Sequence, residues 1–126
     1  MHPFLLVFLG GGLGAVLRHG AGVIAVRALG TQFPYGTLAV NVVGALVMGA
    51  AVAWFGARGE LSSPLRLFLT TGLLGGFTTF SAFSLETVLL YERGQAGLAL
   101  LYVLASVVVC VGALVAGMAL VKALPA

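Results

Sequence analysis

The residues best able to do chemistry lie in one run, Gly75 to Phe83 (GGFTTFSAF), which holds two glycines, three hydroxyl side chains and three phenylalanines. Glycine and threonine loosen a helix. If the chain unwinds between Gly76 and Thr79, backbone carbonyls lose the amide four residues on, and at membrane depth they must find another donor or a cation. Unwound carbonyls of this kind bind Na⁺ in transporters. Phe77, Phe80 and Phe83 recur every third residue, which predicts one slowly drifting aromatic face on the half-helix that follows. The ring edges are partly positive and can meet a small anion without a full charge, although a bare phenylalanine stripe also serves as ordinary packing.

Other polar groups are few. Asn41 is the only amide side chain in an apolar stretch, and Thr37 lies one turn before it on the same helical face. The pair can form a structural hydrogen bond between helices, commonly worth about 1 kcal/mol or less, or line an ion path. Tyr102, Ser106 and Cys110 follow at i, i+4 and i+8, a stripe that reads either as a packing seam or as hydroxyl donors for an anion. Glu86 is an acid within a span and so a candidate functional group. Arg18, between Leu17 and His19, reads as a snorkelling or helix-end cation. Neither histidine has the spacing of a metal ligand. Gly10, Gly12 and Ala15 fit a dinucleotide-binding pattern only formally, because no strand precedes them and no acid appears before Glu60. Gly10 with Gly14, Ala45 with Gly49 and Ala113 with Gly117 have the small-x-x-x-small spacing that lets helices approach closely.

These residues must be positioned by helices in lipid. The chain has 126 residues, 61% hydrophobic and 7% charged, and a mean hydropathy of +1.19, too little polar surface for a water-soluble globule. A span takes roughly 20 apolar residues. Four are expected, at about 3–28, 35–55, 65–91 and 96–121, in a single all-α transmembrane domain with a break in the third helix. The first segment has no Lys/Arg n-region and no A-x-A site, so a retained span is expected rather than a removed secretory peptide. One cysteine excludes an intramolecular disulfide and a cysteine-cluster metal site.

The six cations include no adjacent pair, which gives no footprint for nucleic acid. Their placement bears on topology. Arg58, Arg66 and Lys122 fall on the side of the termini; Arg27 and Arg93 fall on the other, with Arg18 leaning that way. An excess of Lys/Arg normally fixes the cytoplasmic side, and here the two sides balance. Insertion in both orientations is expected, and an antiparallel homodimer is its natural closed assembly.

The sequence resembles the Fluc (CrcB) fluoride channel family over nearly its whole length. The resemblance rests on the glycine-rich first segment ending near Arg18, on GTLAVNVVG from Gly36 to Gly44, on GLLGGFTTFSAFSLE from Gly72 to Glu86, and on Tyr102 with Ser106. It implies a channel rather than an enzyme: an antiparallel, dual-topology homodimer, multi-pass in the cell inner membrane, with two narrow fluoride routes each built by both subunits. Carried over, Phe80 and Phe83 meet the ion, Asn41 donates its amide nearby, Tyr102, Ser106 and Thr37 complete a polar track, and Ser81 and Thr79 help line it. The carbonyls of Gly75 and Thr78 would hold a structural Na⁺ on the dimer axis. Two positions depart from the family pattern: Ala82 stands where many relatives have threonine, and Cys110 where a hydroxyl residue often extends the track. Two other readings stay open. A four-helix multidrug exporter of dual topology needs a membrane-embedded carboxylate, for which Glu86 is the candidate; an accessory subunit would transport nothing on its own.

Overall fold

The structure, a computed structural model, describes residues 2–125 and is all-helical there. Among the described residues, four helices are long and apolar enough to cross a membrane. The first, α1, is Pro3–Leu29. It opens with Pro3 at its first position, where the missing amide costs nothing, and with His2 Nδ1 accepting from Phe4 N at 3.2 Å. It ends at Gly30, whose φ of +81° suits glycine. The second, α2, is Tyr35–Ala57. Just past its end the Arg58 guanidinium lies 3.7 Å above the Trp54 ring.

The third crossing, Pro64–Glu92, is composite. Ser63 caps α3 (Pro64–Leu67) by accepting from Arg66 N at 3.1 Å. A π-helical stretch, Phe68–Leu74, follows, and then the short α4, Gly75–Phe77. Thr78 and Thr79 have extended backbone, with φ, ψ of −92°, 160° and −153°, 124°. Helix α5, Phe80–Glu92, starts afresh with Thr79 Oγ1 accepting from Ala82 N at 3.1 Å. The last crossing is α6, Ala96–Lys122.

Glycine sets how closely these helices pack. A Cβ added to Gly10 would lie 2.8 Å from Phe68 O and 2.9 Å from Leu73 N, and one on Gly14 would overlap Leu73 O. The backbone of α1 therefore lies directly on the π-helical stretch. Gly49 of α2 abuts the Leu114 carbonyl, and Gly117 of α6 abuts the Leu46 carbonyl, which holds these two helices backbone to backbone. Large apolar side chains such as Leu101, Leu104, Val108 and Val115 are left exposed on the outer surface, as lipid contact requires.

Phe77 departs from the expected aromatic face. The extended pair Thr78–Thr79 separates it from Phe80, so the three rings do not share a half-helix. Phe80 and Phe83 also diverge, at 77% and 8% exposed.

The packing makes a testable distinction between glycines. Gly117→Ala should destabilise the protein by about 1–3 kcal/mol, because its methyl meets backbone that cannot yield, whereas a Cβ at Gly112 has nothing within 4 Å and Gly112→Ala should be tolerated. Thermal unfolding in detergent, followed by loss of the monodisperse peak, checks both.

Candidate functional site

The site begins where the third crossing leaves helical geometry. In an α-helix the amide of Thr79 would donate to Gly75 O; here it donates to Asn41 Oδ1 at 2.8 Å. Asn41 Nδ2 in turn donates to Thr79 O at 3.0 Å. One amide side chain from α2 thus satisfies both backbone groups of Thr79. Ala82 N, which would close a helical bond on Thr78 O, goes to Thr79 Oγ1 instead. Gly76 O accepts from Arg18 Nε at 3.1 Å, so the Arg18 reading as a helix-end donor holds. The carbonyls of Gly75 and Thr78 have therefore lost their helical donors to side chains, and such a pair suits a hard cation with oxygen ligands.

A cavity of about 370 Å³ opens beside this segment. Asn41, Thr79, Phe80, Phe83 and Ser106 all line it, with Met48 and Cys110 further along the same two helices. The Phe80 and Phe83 centroids are 5.3 Å apart with planes at 52°. Ser106 is 7% exposed, and its Oγ is buried with no hydrogen-bond partner. A buried hydroxyl without a partner costs about 1–3 kcal/mol, so Ser106 Oγ would gain from one.

Thr37 and Tyr102 lie elsewhere. Thr37 Oγ1 donates to Glu86 Oε2 at 2.9 Å, and Tyr102 OH donates to Glu86 Oε1 at 3.0 Å. Their protons face the carboxylate rather than the cavity. Tyr102 is fully buried, its ring 5.1 Å from Phe83 and 5.4 Å, edge-on, from Phe33. Ser81 is exposed, and its Oγ sits 3.3 Å from Thr79 Oγ1 outside this cavity. A second cavity, of about 450 Å³, is lined by Arg18, His19, Thr37, Thr79 and Ala82. Thr79 borders both spaces.

The structure brings Asn41, Thr79, Phe80, Phe83 and Ser106 together and leaves Thr37, Tyr102 and Ser81 outside that group; the sequence reading treated Glu86 separately from the hydroxyls that hold it. That signal was available: Thr37, Glu86 and Tyr102 are polar groups in apolar spans, and each needs a partner. Met48 was missed, though it lies seven residues after Asn41 on the same face of α2.

Residues 5–118 match the family described as CrcB-like protein, Camphor Resistance (CrcB). The chain belongs to the CrcB family. It is 57% identical to the fluoride-specific ion channel FluC 2 of Nitrobacter hamburgensis over 119 residues, 94% of this chain and 96% of that protein. It is 52% identical to the fluoride-specific ion channel FluC of Granulibacter bethesdensis over 124 residues, 98% of each chain. The FluC of Agrobacterium fabrum is 52% identical over 115 residues, 91% of this chain and 92% of that one. The stretch matched to the CrcB family takes in all the residues around both cavities.

The reciprocal Asn41–Thr79 pairing gives a direct test. Asn41→Ala leaves Thr79 N and O without partners and should destabilise the protein by about 1–3 kcal/mol per group. A midpoint of thermal unfolding within error of the parent would remove the pairing from the account.

Proposed function

We propose that this chain is a subunit of a fluoride-selective channel that lets fluoride leave the cell passively across the inner membrane. The observation that carries the reading is the unpartnered, buried Ser106 Oγ in a cavity it shares with Asn41, Phe80 and Phe83. Fluoride is compact and holds its water tightly, so a pore must offer replacement donors close together without binding the ion too deeply to release it. Full positive charges would trap it. Ser106 supplies a hydroxyl, Asn41 Nδ2 has a second hydrogen beyond the one on Thr79 O, and the two rings offer partly positive edges. Arg18 and Thr37 border the neighbouring cavity, and Thr79 lines both spaces.

Thr37 and Tyr102 act in this reading through Glu86. Their hydroxyls become donors for fluoride only when the carboxylate turns away, so they belong to the track as groups that are exchanged, not as fixed ligands. Ser81 and Thr79 are assigned to its rim.

The working unit in this reading is an antiparallel homodimer of dual topology. The near-equal division of Lys and Arg between the two sides supports it, and so does the 77% exposure of Phe80, a ring assigned to the path that a single chain leaves uncovered. The break at Thr78–Thr79 has its role at the same interface. With their helical donors diverted, Gly75 and Thr78 carbonyls from two copies would hold a structural Na⁺ on the dimer axis; the ion would supply positive charge to join the two helix breaks. The family match and the relatives named fluoride-specific ion channels favour this reading over a multidrug exporter.

Liposomes loaded with fluoride and read with a fluoride electrode test it. The parent should empty them with little accompanying chloride loss. Ser106→Ala and Phe80→Ile should each slow efflux at least tenfold. Parent flux equal to that of protein-free vesicles, or variants as fast as the parent, would reject the assignment.

A further inference from the structure

The cavity beside Ser106 also holds two sulfur atoms that fluoride conduction does not use. Cys110, on α6, is a free thiol one turn beyond Ser106, and Met48, on α2, lines the same space. The helices that carry them are fixed against each other by Gly49 on the Leu114 carbonyl and Gly117 on the Leu46 carbonyl, and both residues line one cavity. Ser106, whose Oγ is unpartnered, lines the same cavity. No histidine or carboxylate lines this cavity among the described residues.

Soft ligands select soft ions. A thiolate and a thioether favour monovalent Cu⁺ and Ag⁺, whereas Zn²⁺ prefers several imidazole or thiolate ligands and Mg²⁺ requires oxygen. Charge balance favours the same ions. When the Cys110 S–H bond breaks, its proton leaves to solvent and an S–metal bond forms; the thiolate and the monovalent cation cancel. Met48 donates a lone pair without changing the charge. A neutral complex avoids the penalty of a bare charge in an apolar enclosure.

We propose that Cys110 and Met48 form a site for a soft monovalent metal ion, Cu⁺ or Ag⁺, and that the bound ion closes the Phe83–Ser106 cavity to anions. Closure rests on the fluoride-channel reading; metal binding does not. Ag⁺ is the practical probe, in chloride-free nitrate buffer.

Two measurements on the same purified protein separate these parts. Calorimetric titration should find one tight Ag⁺ per chain, absent in Cys110→Ser and weakened at least tenfold in Met48→Leu. Fluoride efflux from liposomes should fall at least tenfold with Ag⁺ and recover on adding dithiothreitol; the Cys110→Ser variant, compared with its own metal-free flux, should not respond. Cys110→Ala repeats the comparison without a new hydroxyl, should Cys110→Ser elute abnormally. Tight Ag⁺ binding that survives in Cys110→Ser, or a Met48→Leu titration that superimposes on the parent, would overturn the site. Binding without loss of flux would overturn closure. Parent vesicles that release no fluoride would reject the channel reading instead, and calorimetry would still decide the site.

Discussion

The pairing of Asn41 with both backbone groups of Thr79 is the interaction on which the rest of the site depends. An extended residue in the middle of a membrane span exposes an amide and a carbonyl to a medium that offers no hydrogen bonds, at a cost of several kcal/mol per group. Asn41 matches that need because a carboxamide carries one acceptor and one donor side by side. With Thr79 secured, Thr79 Oγ1 can start a new helix on Ala82 N, and Phe80 and Phe83 take their places on its first turn. Arg18 deals with the carbonyl of Gly76 on the other side of the gap.

The helices around this segment are held by close backbone contact. Lipid tails are as apolar as leucine, so burying apolar surface between helices gains little in a bilayer, and packing and polar contacts must do the work. The glycines of α1 bring its backbone onto the π-helical stretch, and Gly49 and Gly117 do the same for α2 and α6. Only then do Asn41 on α2 and Ser106 on α6 reach the same cavity as two rings on α5. The site is a meeting of three crossings whose separation is set by residues with no side chain.

Much of this could be read from the residues. Four apolar runs with short connections prescribe a multi-pass helical protein, and polar groups at membrane depth mark where something must be satisfied. Asn41 and Ser106 were singled out on that ground, and the Phe80–Phe83 pair through the family resemblance. Their partners were less accessible, because periodicity describes one helix at a time. Asn41 and Thr79 are 38 positions apart, and nothing local in either stretch names the other. The even threefold spacing of Phe77, Phe80 and Phe83 misled for a related reason: it assumes one continuous helix, whereas the backbone extends between the first ring and the second. Ser81 is exposed on α5 and lies outside the cavity that Phe80 and Phe83 line. Thr37 and Tyr102 were assigned to the polar track as hydroxyls able to donate to an anion; in the structure both donate to Glu86.

The central claim is that neutral donors and ring edges, gathered around a locally extended segment, pass fluoride and reject chloride. Its most direct test is the reversal potential of the reconstituted protein in a planar bilayer, with fluoride on one side and chloride on the other. A large potential of the sign set by fluoride alone is expected. A reversal near zero, or one that follows the cation gradient, would contradict it.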